Sequence, residues 1–190
     1  WQNEGSMNTK SNQSTLKSAI FWTIALCSAY PSVHTYAGSD TSTMSVSASV
    51  VPSCSMDSSP MTFGTYNGVG ANASTALEAM AAIVSTCTSG AAAIITINAG
   101  ASEGSDSADA SARRMTDGER NYLAYQVYSD VGRSRVWGNT APTGVALTGT
   151  GIPQTLTAYG SVTASQLAAP GVYNDQLTVT ITYWCEYEIW

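Results

Sequence analysis

The side chains that could do chemistry are few and badly placed for it. The 190 residues hold one histidine, His34, and 7 Lys and Arg against 13 Asp and Glu. A hydroxyl or thiol nucleophile needs a base beside it, and Schiff-base chemistry needs a lysine. His34, Lys10 and Lys17 all precede Gly38, in a stretch that reads as a cleaved leader. From Gly38 to Tyr183 the only cations are Arg113, Arg114, Arg120, Arg133 and Arg135. Ten acids face them there: Asp40, Asp57, Glu78, Glu103, Asp106, Asp109, Asp117, Glu119, Asp130 and Asp175. Serine hydrolase chemistry lacks its base, and no enzyme is expected. No cluster of Cys, His or carboxylates has metal-ligand spacing, so neither a metal nor another cofactor is expected. Asp106 and Asp109 lie in the polar stretch Ser102–Ser111 without the glycine and ligand spacing of a calcium loop, which makes that stretch a solvated loop. The net charge of −6 argues against nucleic acid as a partner.

The cysteines point to a compartment. Of Cys27, Cys54, Cys87 and Cys185, the first leaves with the leader and the last lies in a doubtful tail. Cys54 and Cys87 are then a natural disulfide pair for an exported protein, with two free buried thiols as the alternative.

Met7–Ala37 has the three parts of a secretory signal. Lys10 and Lys17 supply the positive start, Ala19–Leu26 is an apolar run too short to span a bilayer, and Thr35-Tyr36-Ala37 ends on small residues suited to cleavage. The mature protein is expected to begin at Gly38. Trp1–Ser6 is set aside as an extension. The same holds for residues 184–190, for a reason given below.

The elements that must position any site read as β-structure. Charged residues make up 11% of the chain and Gly numbers 16, with abundant Ser, Thr and Ala, a turn-rich β composition. Met44–Val50 alternates apolar residues with serine. Ile94–Asn98, Tyr122–Tyr128, Thr155–Tyr159 (with Val162 as a continuation) and Leu177–Tyr183 are further strand signals. Asn67-Gly68, Asp117-Gly118 and Gly149-Thr150-Gly151 mark turns. Ala76–Ala82 dissents with a helix-forming composition, though it runs into Ile83-Val84. About six strands can be counted from Cys54 to Tyr183, one fewer than the seven of a constant-type sandwich. Trp137 is expected in the core rather than on a ligand platform. Tyr122 and Tyr128 fall on one face of their strand and Tyr125 on the other.

An ordered set of motifs spans this region. It runs through Cys54, Phe63-Gly64-Thr65-Tyr66, Cys87-Thr88, Arg114-Met115, Leu123–Asp130, Trp137-Gly138, Tyr159-Gly160 and Gly171–Tyr183. The set resembles the spore coat protein U domain, which also forms the subunits of archaic, Csu-type chaperone–usher pili. Chains of that family normally stop at the residue that Tyr183 matches, which is why residues 184–190 are set aside. The resemblance implies an all-β, incomplete immunoglobulin-like sandwich over residues 54–183, completed by a donor strand from a neighbouring subunit. Residues 38–53 are the donor segment, and Met44, Val46, Ala48 and Val50 are its plugs. Leu177, Val179, Ile181 and Tyr183 should line the acceptor groove, and Pro52 should separate the donor from the domain. The partners implied are other copies of the chain or related pilins in a homopolymer, a periplasmic chaperone and an outer-membrane usher. The function implied is that of a structural subunit of a cell-surface pilus, exported through the periplasm and serving adhesion and biofilm formation. The alternative is a tip or secreted adhesin or coat protein whose own amino-terminal strand fills its groove.

Overall fold

A computed structural model describes residues 36–102 and 110–185. The leader up to Thr35, the extension Trp1–Ser6, Asp106, Asp109 and residues 186–190 lie outside the described residues. The chain falls into two units, Trp1–Val46 and Ser47–Trp190. In the first, residues 36–46 carry no regular secondary structure and are exposed.

The second unit is all-β. Its strands are β1 (Cys54–Ser58), β2 (Leu77–Cys87), β3 (Ala92–Ile97), β4 (Arg113–Thr116), β5 (Tyr122–Tyr128), β6 (Val145–Thr148), β7 (Gln154–Val162) and β8 (Val179–Trp184), with one short 3₁₀ turn at Ala141–Thr143. They form a five-stranded sheet in the order β1-β2-β7-β5-β4 and a three-stranded sheet in the order β6-β3-β8. Every pairing between these strands is antiparallel.

Eight strands, not about six, correct the count made from sequence, so the tally against a seven-stranded sandwich loses its meaning. The strands for which the sequence reading names no run are β1, β4 and β6, which have four or five residues each, and β2. At the start of β2, Ala, Leu, Glu and Met suit a helix, yet Leu77–Ser85 pairs with β7 and Ile83–Cys87 pairs with β1. Two flanking partners override a weak local preference. Met44–Val50 differs in the other direction: despite its alternation it belongs to no sheet of this chain.

The core lies between the sheets. Ile83, Ala158, Val162, Leu123, Tyr125 and Val127 from the large sheet meet Ile95 and Ile97 from the small one. Trp137 is 1% exposed, and its indole N–H donates to the Ile95 carbonyl at 2.8 Å, the satisfied geometry a buried indole requires. Tyr125 faces the core as the alternation of β5 requires, while Tyr122 and Tyr128 are half-buried. Cys54 and Cys87 sit opposite each other as the first pair of the β1–β2 ladder and are joined by a disulfide closing 33 residues. On the chain-entropy account such a closure stabilises by about 3–4 kcal/mol.

Candidate functional site

Among the described residues β8 pairs with β3 alone, which leaves one side of its backbone ladder open there. Beside it the two layers do not close. Two hollows of about 850 and 430 Å³ share Met61, Phe63, Met115, Tyr173 and Asn174 in their walls and form one groove. Under the smaller hollow lie Ile83, Ile97, Val127 and Ala158 of the buried core. Under the larger lie Leu77, Leu123 and Val162 of the large sheet, flanked by the irregular segments 61–69 and 166–174. Protein interiors are packed nearly as tightly as organic crystals. Only the smaller hollow has a β8 residue, Val179, in its wall; an extended chain could add backbone bonds to that edge and side chains to that floor.

The sequence-derived acceptor residues are distributed unevenly along it. Leu177 and Val179 line the smaller hollow. Ile181 packs against the buried core and beside Cys87 and Ala93. Tyr183 pairs with Ala93 and is 40% exposed. β8 continues through Trp184, which pairs with Ala92. The proposed plugs stand free: Met44 is 86%, Val46 87% and Val50 79% exposed, and Ala48 is exposed as well.

The sequence reading missed the wall opposite β8. Met61 and Phe63 lie over β7 at Gly160, where an added Cβ would strike the Met61 sulfur and the Phe63 ring. Phe63 also stands edge-on to Tyr125, with ring centroids 6.0 Å apart. Farther along, the Tyr66 hydroxyl donates to the Thr163 carbonyl at 2.9 Å and accepts from the Gln166 N–H at 2.8 Å, tying the two irregular walls together. The Phe63-Gly64-Thr65-Tyr66 and Tyr159-Gly160 motifs were visible signals, but nothing in their spacing shows that Phe63 packs over Gly160.

Arg113 was also read only as a cation. The residue is 1% exposed, and its guanidinium donates to the carbonyls of Asn98 (2.9 Å), Ile97 (2.9 Å) and Trp137 (2.7 Å) and to the Gln126 side-chain oxygen. Loss of water on burial lowers its pKa to about 10, against the raising influence of Tyr125 and Asp175. Burial raises the Tyr125 hydroxyl well above its ordinary value, helped by its bond to the Asp175 carboxylate. The bonds of this network tie strands and loops together. Among the described residues, no three His, Cys, Asp or Glu side chains converge on a point that could hold a metal.

Comparison with known proteins agrees with the motif pattern. Residues 40–180 match the Spore Coat Protein U domain. "Protein U" of Myxococcus xanthus is 32% identical over 155 residues, which is 77% of this chain and 87% of that protein. Among solved structures, the chaperone–tip adhesion subunit pre-assembly complex CsuC–CsuE, from the archaic chaperone–usher Csu pili of Acinetobacter baumannii, gives a TM-score of 0.48 at 18% identity. That match covers 70% of this chain and 40% of the chain it matches.

Proposed function

Since the chain belongs to the Spore Coat Protein U domain family, we propose that it is a structural subunit of a cell-surface pilus that polymerises by donor-strand exchange. The observation that carries this reading is the open groove beside the free edge of β8. Thr41–Val51 of another copy is the occupant. It is exposed and free of secondary structure, and it alternates Met44, Val46, Ala48 and Val50 with polar or small residues. A periplasmic chaperone lends a strand to the groove first, and an outer-membrane usher exchanges it for the next subunit's segment. Cleavage after Ala37 leaves that segment near the mature terminus. Adhesion and biofilm formation follow from display of the filament on the cell, and no catalytic step is involved.

Burial of Met44, Val46 and Val50 contributes about 1.5–3 kcal/mol each, and each ladder bond adds about 1 kcal/mol. Fixing the backbone costs about 1–2 kcal/mol per residue. The terms are of similar size, so assembly depends on a groove that is already formed and costly to leave empty.

The test is Val46→Asp, co-expressed with the cognate chaperone and usher. An unpaired charge is strongly disfavoured in an apolar groove. The variant is expected to accumulate as chaperone complex and to form no filaments. Normal filaments overturn the assignment. Loss of filaments and chaperone complex together points to a segment that completes its own domain, as a self-complemented coat protein or adhesin requires.

A further inference from the structure

The groove is bordered by a segment that has no regular structure yet is tied down on several sides. Asn174 and Thr116 exchange backbone hydrogen bonds of 2.9 Å in both directions, which pins the segment to the outer edge of β4. The next residue, Asp175, gathers five donors. One carboxylate oxygen accepts from the N–H groups of Ala101 (2.9 Å), Ser102 (3.2 Å) and Gln176 (2.9 Å) and from the Ser102 hydroxyl (3.2 Å). The other accepts from the Tyr125 hydroxyl at 2.7 Å. Gly100 has φ +102°, and a Cβ there would collide with that second oxygen; the corner at residues 98–102 is shaped around the carboxylate.

Tyr125 belongs to β5 in the large sheet, whereas Asp175 lies on the chain entering β8 in the small one. Both line the smaller hollow, so their bond crosses from one layer to the other at the groove. A phenylalanine at 125 could fill the core and meet the edge of Phe63 equally well. The hydroxyl adds only the bond to Asp175, and a polar pair set among apolar walls is tolerated only when its partners are satisfied.

We propose that the Tyr125–Asp175 bond is a brace that fixes residues 173–177, and with them Tyr173, Asn174 and Leu177, as a preformed wall of the groove before any strand arrives. Tyr125 and Asp175 are thus positioning residues; the consequence for strand uptake rests on the donor-strand reading above. A wall held in place removes an ordering cost from binding.

The experiment compares amide hydrogen exchange in the full-length chain with Tyr125→Phe, Asp175→Ala and Asp175→Asn variants, alongside association with a synthetic peptide of residues 41–51. Tyr125→Phe and Asp175→Ala are expected to speed exchange at residues 173–178 by about tenfold or more, with β2 and β7 unchanged. Peptide association should slow by a similar factor, and Asp175→Asn, which keeps an acceptor for the hydroxyl, should fall between. Uniform acceleration across β2 and β7, or no change at 173–178, overturns the brace. If the local exchange pattern appears but the peptide does not bind even the unmodified chain, the brace stands and the donor-strand reading falls.

Discussion

Residues 44–50 and β8 both place an apolar side chain at every second position. In β8, Val179 and Ile181 pack on the core while Thr180 and Thr182 face out. In the amino-terminal segment, Met44, Val46 and Val50 are 79–87% exposed. The difference lies in what is available to pair. β8 has β3 beside it, matched from Ala92↔Trp184 to Ile97↔Val179. Residues 44–50 carry no strand assignment among the described residues. Alternation states that a stretch suits a surface with one wet side and one dry side; it does not state whose surface that is. The same residue pattern is thus laddered at one end of the chain and exposed at the other.

A charge placed in each stretch sharpens the contrast most. Ile181→Asp buries a carboxylate against the core and is expected to destabilise the domain by about 2–4 kcal/mol or prevent its folding, whereas Val46→Asp should leave the denaturation midpoint of the isolated chain unchanged. Equal destabilisation by both substitutions in urea would collapse the distinction. Comparable in size is the disulfide. Removing both sulfurs with Cys54→Ser and Cys87→Ser is expected to lower the domain's stability by about 3–4 kcal/mol without altering the exposure of residues 41–51 to limited proteolysis. Unchanged stability, or new protection of that segment, would contradict the picture.

Acid gives the smallest effect, again in the folded region. The Asp117 carboxylate is held below its ordinary value of 3.8 by the Asn121 side chain and the Glu119 N–H, and Asp130 is lowered by the Arg135 and Ser134 N–H groups. A carboxyl group whose pKa is lower folded than unfolded binds more protons when unfolded, so its contribution is complete above 3.8. That contribution is lost as the pH falls through the depressed folded values. The denaturation midpoint should therefore decline below about pH 4 as the β4–β5 turn and the 130–135 turn lose these bonds; a flat profile down to about pH 2 would contradict this.

Several parts of the fold were legible because their information is local. Tyr122–Tyr128 reads as a strand from its aromatic and apolar run and is β5 to the residue. Asp117-Gly118 and Gly149-Thr150-Gly151 read as turns because their residue types leave few other options. The short edge strands β1, β4 and β6 carry too few residues to display a period. Arg113 shows the harder limit: an Arg-Arg pair following a polar stretch looks solvated, and only the fold brings the carbonyls of Ile97, Asn98 and Trp137 together around Arg113. At the candidate site, Leu177 and Val179, which the alternation of their strand put on one face, line the smaller hollow. The facing wall of Met61 and Phe63 was not legible, because it has no periodicity and its place is set by contact with β7 at Gly160.

The placement of the disulfide has a mechanical consequence. The chain enters the sheet at Cys54, one residue after Ser53 and directly opposite Cys87. Tension applied through residues 41–51 would reach the domain at Cys54 and pass through the covalent sulfur bridge into the end of β2. β2 is the longest strand, and it is laddered to β7 over nine residue pairs. A pull arriving at Cys54 would therefore be shared between the short β1 ladder and, through the sulfur bridge, the longer β2–β7 ladder.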